Sequence, residues 1–139
     1  MENVKRMKYK SIIEDLKGTG DPNVMAFLKD VARIKRLSKK ERDYCLQNRW
    51  SYVAVRKLVE EFIPYIIWVA YAKREQVKTL SVLDLIDEGI IGAYRAFELS
   101  EEGGILSKRR VNSCIKRNMR RAIRRDHLLF VEEQYVEEV

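Results

Sequence analysis

The sequence predicts an all-α fold, a compact helical bundle of about five to six helices, on three observations. Apolar residues recur at steps of three and four along most of the chain. Helix-start signals, Asp21-Pro22 and then Ser38 and Ser107, stand just before such runs. The composition is 46% hydrophobic and 35% charged with only six Gly and two Pro, which suits a soluble, largely helical chain with many ion pairs. At 139 residues it is one domain, or one domain with tails.

Residues 1–20 read as a weak helical extension closed by Lys17-Gly18-Thr19-Gly20, a C-cap and turn. Asp21 then serves as an N-cap with Pro22 at the first helical position. The stripe Val24, Phe27, Leu28, Val31 and Ile34 follows. Ser38 with Glu41 three residues on is the capping-box pattern, and predicts a helix from about Lys39 to Gln47. A further helix starts near Tyr52 and carries Val55, Leu58, Val59, Phe62 and Ile63. Pro64 breaks or kinks it, because proline lacks the N–H and clashes with the preceding turn. Residues 65–73 resume as a helix apolar almost all round, so it is the central buried one. Tyr65, Trp68 and Tyr71 are expected in its core packing, the other reading being that Trp68 or Tyr71 edges a partner surface.

Residues 83–98, LDLIDEGIIGAYRAFE, carry one apolar stripe: Leu83, Ile86, Ile90, Ala93 and Phe97. Asp84, Asp87 and Glu88 make an acidic patch beside it. Gly89 and Gly92 each cost a helix about 1 kcal/mol relative to Ala, so another backbone is expected to come close there. Residues 99–104 read as a loop, and Ser107 can cap one last long helix through about Asp126. On a wheel, Val111, Cys114, Ile115, Met119, Ala122 and Ile123 occupy one half of that helix. Arg109, Arg110, Lys116, Arg117, Arg120, Arg121, Arg124 and Arg125 occupy the other, and only Lys108 strays. The following tail, 127–139, mixes apolar residues with acids, and Leu128, Leu129, Phe130 and Val131 need cover.

Charge is segregated. The net charge is +7, yet residues 108–125 hold nine Lys or Arg and no acid, so the rest of the chain is net negative. Exposed helices usually mix both signs; eighteen residues without an acid point to a polyanion. The helix also opens on Lys108-Arg109-Arg110, the wrong sign for its N-terminal dipole, and such an uncompensated local conflict marks function. Cys45 and Cys114 lack metal-ligand spacing and read as buried free thiols. A single histidine, His127, excludes His-based triads and most zinc sites. No paired-carboxylate pocket, phosphate loop or activated nucleophile is legible, so no catalysis, metal or cofactor is expected. Three carboxylates on one helix face without a second ligand segment seldom hold Mg²⁺. The most apolar run, residues 62–72, is too short to span a bilayer, and the N-terminus lacks a signal-peptide core, so a cytoplasmic protein without membrane contact is expected.

The stretch DLIDEGIIGAYRAFE resembles the DLIQEG-x-IG-x-x-(K/R)-A motif of region 2.2 in sigma-70 family factors, the promoter-specificity subunits of bacterial RNA polymerase. Asp84, Leu85, Ile86, Glu88, Gly89, Ile91, Gly92, Arg95 and Ala96 match, and Asp87 stands where the family has Gln. The upstream block 21–41 is similar to region 1.2 at Asp21, Pro22, Leu28, Val31, Leu37, Ser38 and Glu41. Residues 56–73 resemble region 2.1. The basic helix falls at regions 2.3 and 2.4, with Ile115, Lys116, Arg121 and Ile123 aligned.

The resemblance implies a sigma region 2-like helical domain over 21–126, flanked by the 1–20 extension and the 127–139 tail. It implies docking on the clamp helices of the largest subunit of core RNA polymerase through Asp84, Leu85, Asp87, Glu88, Ile91 and Arg95. It implies promoter DNA near the minus-ten element against Arg109, Arg110, Lys116, Arg117, Arg120, Arg121, Arg124 and Arg125. Two departures bear on mechanism. Ser113 and Cys114 replace the family's Trp pair, and no Phe, Tyr or Trp lies between Glu98 and Leu129. Base–aromatic stacking contributes about 1–3 kcal/mol per base, so this helix grips phosphates better than it traps melted bases. The chain also ends after region 2, as in reduced phage late sigma factors, whose short tail reaches a sliding clamp; a second sigma subunit or an anti-sigma factor is another partner for this tail. Two further readings stand beside the sigma factor: a sigma-like regulator that occupies polymerase without melting promoters, and a stand-alone helical DNA-binding module.

Overall fold

In the computed structural model, residues 2–98 and 107–138 are described, with side chains for 9–98 and 107–132. Among them are seven α-helices and one short 3-10 turn, and no strand. In chain order they are α1 (Glu2–Gly18), α2 (Pro22–Ala32), α3 (Lys39–Gln47), α4 (Tyr52–Glu60), α5 (Ile63–Ala72), the turn Arg74–Gln76, α6 (Val82–Glu98) and α7 (Lys108–Glu138). The all-α bundle is as predicted, with a higher helix count than the five to six expected. The expected loop at 99–104 lies outside the described residues.

The punctuation of the sequence sets most boundaries. Asp21 accepts a hydrogen bond from the Asn23 N–H (2.9 Å), with Pro22 opening α2. Ser38 accepts from the Glu41 N–H (3.1 Å) and starts α3 where predicted. The Ser107 hydroxyl accepts from the Arg110 N–H (3.2 Å) at the head of α7. Thr19 and Gly20 close α1, Gly20 at φ +69°, a conformation that favours glycine. Pro64 sits in the first turn of α5, where its missing N–H is not needed, so the break falls two residues earlier, at Glu61 and Phe62.

One boundary differs from the expectation. α7 does not stop near Asp126; it runs on to Glu138. No Gly or Pro follows Gly104, so nothing in the sequence terminates the helix. The tail therefore continues α7 as an arm through Glu138, with Leu128, Leu129 and Val131 more than half exposed. Phe130 is half-buried, its ring centroid 5.8 Å from Lys78 Nζ.

The core gathers around α5, as the all-round apolar pattern predicted. Ile66 and Ile67 from α5, Leu85 from α6, and Val111, Ile115 and Met119 from α7 are its fully buried large side chains. Tyr65 and Tyr71 are half-buried, but Trp68 stays 39% exposed and is not a core residue. Cys45 is a buried free thiol, and Cys114 a half-buried one. The Tyr71 hydroxyl donates to Asp15 and ties α1 to α5, while Arg42 grips Glu61 through two hydrogen bonds of 2.9 and 2.8 Å and ties α3 to the end of α4.

The most extensive helix pair is α6 with α7. Gly89 and Gly92 explain it. A Cβ on Gly92 would stand 2.7 Å from the Cys114 carbonyl oxygen and 3.0 Å from Ile115 Cα. A Cβ on Gly89 would meet Met119 Cε at 2.5 Å and Ile66 Cγ2 at 2.7 Å. The close backbone approach expected at the two glycines is made by α7 at Gly92; at Gly89 the neighbours are side chains of α7 and α5.

Gly92→Ala is expected to destabilise the protein by about 1–3 kcal/mol despite alanine's better helix propensity, because its neighbours are backbone atoms of α7. Gly89→Ala is expected to destabilise as well: the end of Met119 can move, but Ile66 Cγ2 sits on a fully buried β-branched side chain. Urea unfolding of both variants checks this.

Candidate protein-docking and nucleic-acid faces

α6 and α7 each bury one face and leave a chemically distinct face to solvent. On α6, Leu85, Ile86, Gly89, Gly92, Ala93, Ala96 and Phe97 are buried. At 100° per residue they fill one arc of the helix. The opposite arc carries Asp84, Asp87, Ile91 and Arg95, all exposed, with Ile91 at 43%. Of the six residues expected on this surface, two lie off it: Glu88 is half-buried at the seam with α7, and the other is Leu85. It is fully buried and belongs to the core, because the arc that packs on α5 and α7 includes it.

The acidic residues of α6 do different things. Asp84 closes a capping box: the Ser81 N–H donates to its carboxylate (2.9 Å), and its own N–H donates to the Ser81 hydroxyl (3.1 Å). Glu88 faces the seam with α7, accepting from Asn118 Nδ2 and from Arg125 Nη2, both at 3.4 Å. Arg95 donates to Asn118 Oδ1 at 3.3 Å. Asp87 carries the least compensated charge. Partial burial pushes its carboxyl above the ordinary range, and the neighbouring Asp84 and Glu88 push the same way. Its charged form is therefore disfavoured in the free protein, and a cation brought against it would favour that form.

α7 shows the reverse pattern. Val111, Ile115, Asn118, Met119, Ala122 and Asp126 are buried, with Cys114 and Ile123 at the edges. All eight cations expected on the outer half are exposed: Arg109, Arg110, Lys116, Arg117, Arg120, Arg121, Arg124 and Arg125. Among the described residues the one ion pair on this face joins Arg125 to Glu88, and Arg125 stays 66% exposed. Such an array displaces condensed counterions from a polyphosphate.

Asp126 fixes α7 against the approach to α6. It is 2% exposed and accepts from the backbone N–H groups of Lys78 (2.6 Å), Thr79 (3.1 Å) and Leu80 (3.2 Å), and from the Thr79 hydroxyl. Burial alone would raise its pKa, but these hydrogen bonds outweigh it and hold the carboxyl below the usual range. Sequence reading saw in Asp126 only a helix end, because its partners lie over forty residues away. Asn118 was likewise invisible, a polar residue inside an apolar stripe. The Ser81–Asp84 capping box was legible as S-x-x-D.

A cavity of about 860 Å³ opens beside the start of α7. Tyr9, Phe62 and Tyr65 line it together with Lys17, Lys108 and Asn112. Asn112 Oδ1 is buried and has no hydrogen-bond partner. Lys108, which strays from the cationic face, is thus part of a second basic feature. Among the described residues there is no cluster able to hold a metal ion, and no helix is long and apolar enough to cross a membrane. Comparison with protein-family models, curated proteins and solved structures gives no match to this chain.

Asp126→Ala is expected to lower the unfolding free energy by about 1–3 kcal/mol in urea titrations at neutral pH, by leaving buried N–H groups without an acceptor. The native carboxylate contributes fully above its unfolded pKa of about 3.9, and that contribution is lost as pH falls through the lower folded value. The variant should lack this part of the acid-side loss.

Proposed function

We propose that this chain is a sigma-like transcription initiation factor, holding core RNA polymerase through α6 and promoter DNA near the minus-ten element through α7. The observation that carries the reading is the helix pair itself. One helix presents an acidic and apolar stripe, Asp84, Asp87 and Ile91, suited to a basic protein surface. Its closest neighbour presents eight exposed cations, suited to a polyphosphate. A molecule built this way suits bridging a protein to a nucleic acid. The resemblance of residues 83–98 to sigma region 2.2 supplies the identity of the protein partner: the clamp helices of the largest subunit.

The mechanism follows from where the charges stand. Arginines along α7 track the phosphates and can also donate to guanine edges. The helix has no aromatic residue before Phe130, so stacking on a melted base has to come from elsewhere. The cavity at its N-terminal end supports such a role. Tyr9, Phe62 and Tyr65 are among the residues that line it, beside Lys17 and Lys108. The second reading, a regulator that occupies polymerase without opening promoters, is favoured by the missing aromatics on α7 itself. Permanganate reactivity of promoter thymines, with this protein as the sole sigma, decides between them.

Purified core polymerase is expected to retain the protein, and Asp87→Lys with Ile91→Glu to weaken that retention at least about tenfold. This pair is a cleaner test than one including Glu88, which also bonds across the α6–α7 seam. Intact retention by the variant would refute the α6 assignment. For DNA, replacing Arg117 and Arg121 by Ala should lower the slope of log affinity against log salt by about 0.9 per lost phosphate contact, measured by fluorescence anisotropy.

A further inference from the structure

We infer that the protein-docking surface extends off α6 onto the α3–α4 corner, where Trp50 and Tyr52 form an aromatic wall against the same basic helical partner. The inference rests on the reading of α6 as the polymerase-docking stripe and adds a second element to it.

Trp50 is 85% exposed, Tyr52 69% and Val53 51%. Large rings and an aliphatic side chain are thus grouped in water at the junction between α3 and α4. They are continuous with α6. The Tyr52 ring stacks on Tyr94 of α6, with centroids 6.0 Å apart and planes within 8°. Tyr94 follows Asp87 by seven residues, which places both on the same edge of α6, about 10 Å apart along its axis. Trp50 precedes Tyr52 by two residues, so their Cα atoms are at most about 7 Å apart. The acidic edge of α6 therefore leads through Tyr94 and Tyr52 to Trp50.

Tyr94 is half-buried, and burial, then a hydrogen bond with Tyr52, pushes its hydroxyl up to about 12. The occupant follows from the chemistry of this path. Asp84 and Asp87 attract basic side chains, and exposed aromatic faces take guanidinium groups and aliphatic stems. A nucleic-acid strand fits worse. Its phosphates would lie beside Asp84 and Asp87, and Arg56 of α4 is already paired with Glu60 at 3.7 Å. A basic coiled coil seated on Asp87 would meet the aromatic corner with its flank, and a solvent-facing Trp is a side chain that gains much from being covered.

The test uses the full chain and purified core RNA polymerase. Trp50→Ala should leave the circular dichroism and Tm unchanged, because the ring is exposed, and should weaken polymerase binding at least about tenfold. In hydroxyl-radical footprinting read by mass spectrometry, polymerase should protect Trp50 and Tyr52 from oxidation. Unchanged affinity of the variant, or Trp50 oxidised in the complex as in the free protein, overturns the aromatic corner while leaving the α6 reading in place. Protection of Trp50 by single-stranded DNA without polymerase overturns it as well. Failure of the unaltered protein to bind polymerase removes both the α6 reading and this inference.

Discussion

The close approach of α6 to α7 at Gly89 and Gly92 is the constraint on which the rest of the structure depends. With no Cβ at position 92, the α7 backbone at Cys114 and Ile115 comes against α6. That contact fixes the rotation of both helices about their axes. Leu85, Ile86 and Ala93 turn inward with Val111, Ile115 and Met119, and the acids of α6 and the cations of α7 are left on the outside. A chain with larger residues at these two positions would hold the helices farther apart and lose the register of both faces. The helix propensity given up at the glycines is recovered through this packing.

Polar contacts then lock what the glycines permit. Arg95, Asn118, Glu88 and Arg125 form a chain of hydrogen bonds across the seam, so the two outer faces share one network at their common edge. Asp126 performs the same office at the other end, gathering the turn before α6 against the middle of α7. Buried at 2% exposure, with its carboxyl held below the usual range by its donors, it adds polar ties to a junction where Val77 and Leu80 pack on the core. The start of α7 shows the opposite economy. Ser107 caps it, but Lys108, Arg109 and Arg110 oppose the helix dipole, which a bound polyanion would offset.

Much of the fold was legible because its signals are local. Capping by Asp21, Ser38 and Ser107 depends on a side chain and an N–H within three residues, so the pattern in the sequence is the interaction itself. The cationic half of α7 was equally plain, since helical periodicity alone separates Arg117 and Arg121 from Ile115 and Met119. The α6 surface was read less well. Leu85 and Asp84 belong to the same motif, yet one is core and the other surface, and only the position of α5 and α7 decides which. α7 exceeds its expected length because charge changes sign at Asp126 while the backbone there meets no stop signal.

By itself, then, the sequence determined the helical class, most element starts, the segregation of charge and the need for a close contact at the two glycines. All of these are set within a few residues by propensity, capping and periodicity. Tertiary structure alone decided which helix fills that contact, that Asp126 serves the turn at 78–80, that Asn112 joins Tyr9, Phe62 and Tyr65 in lining one cavity, and that Tyr52 meets Tyr94 two residues from an exposed Trp50. Each of these joins residues some forty or more positions apart or from several helices at once, and no local preference encodes such a pairing; it arises only when burying the apolar faces together brings the helices into one packed arrangement.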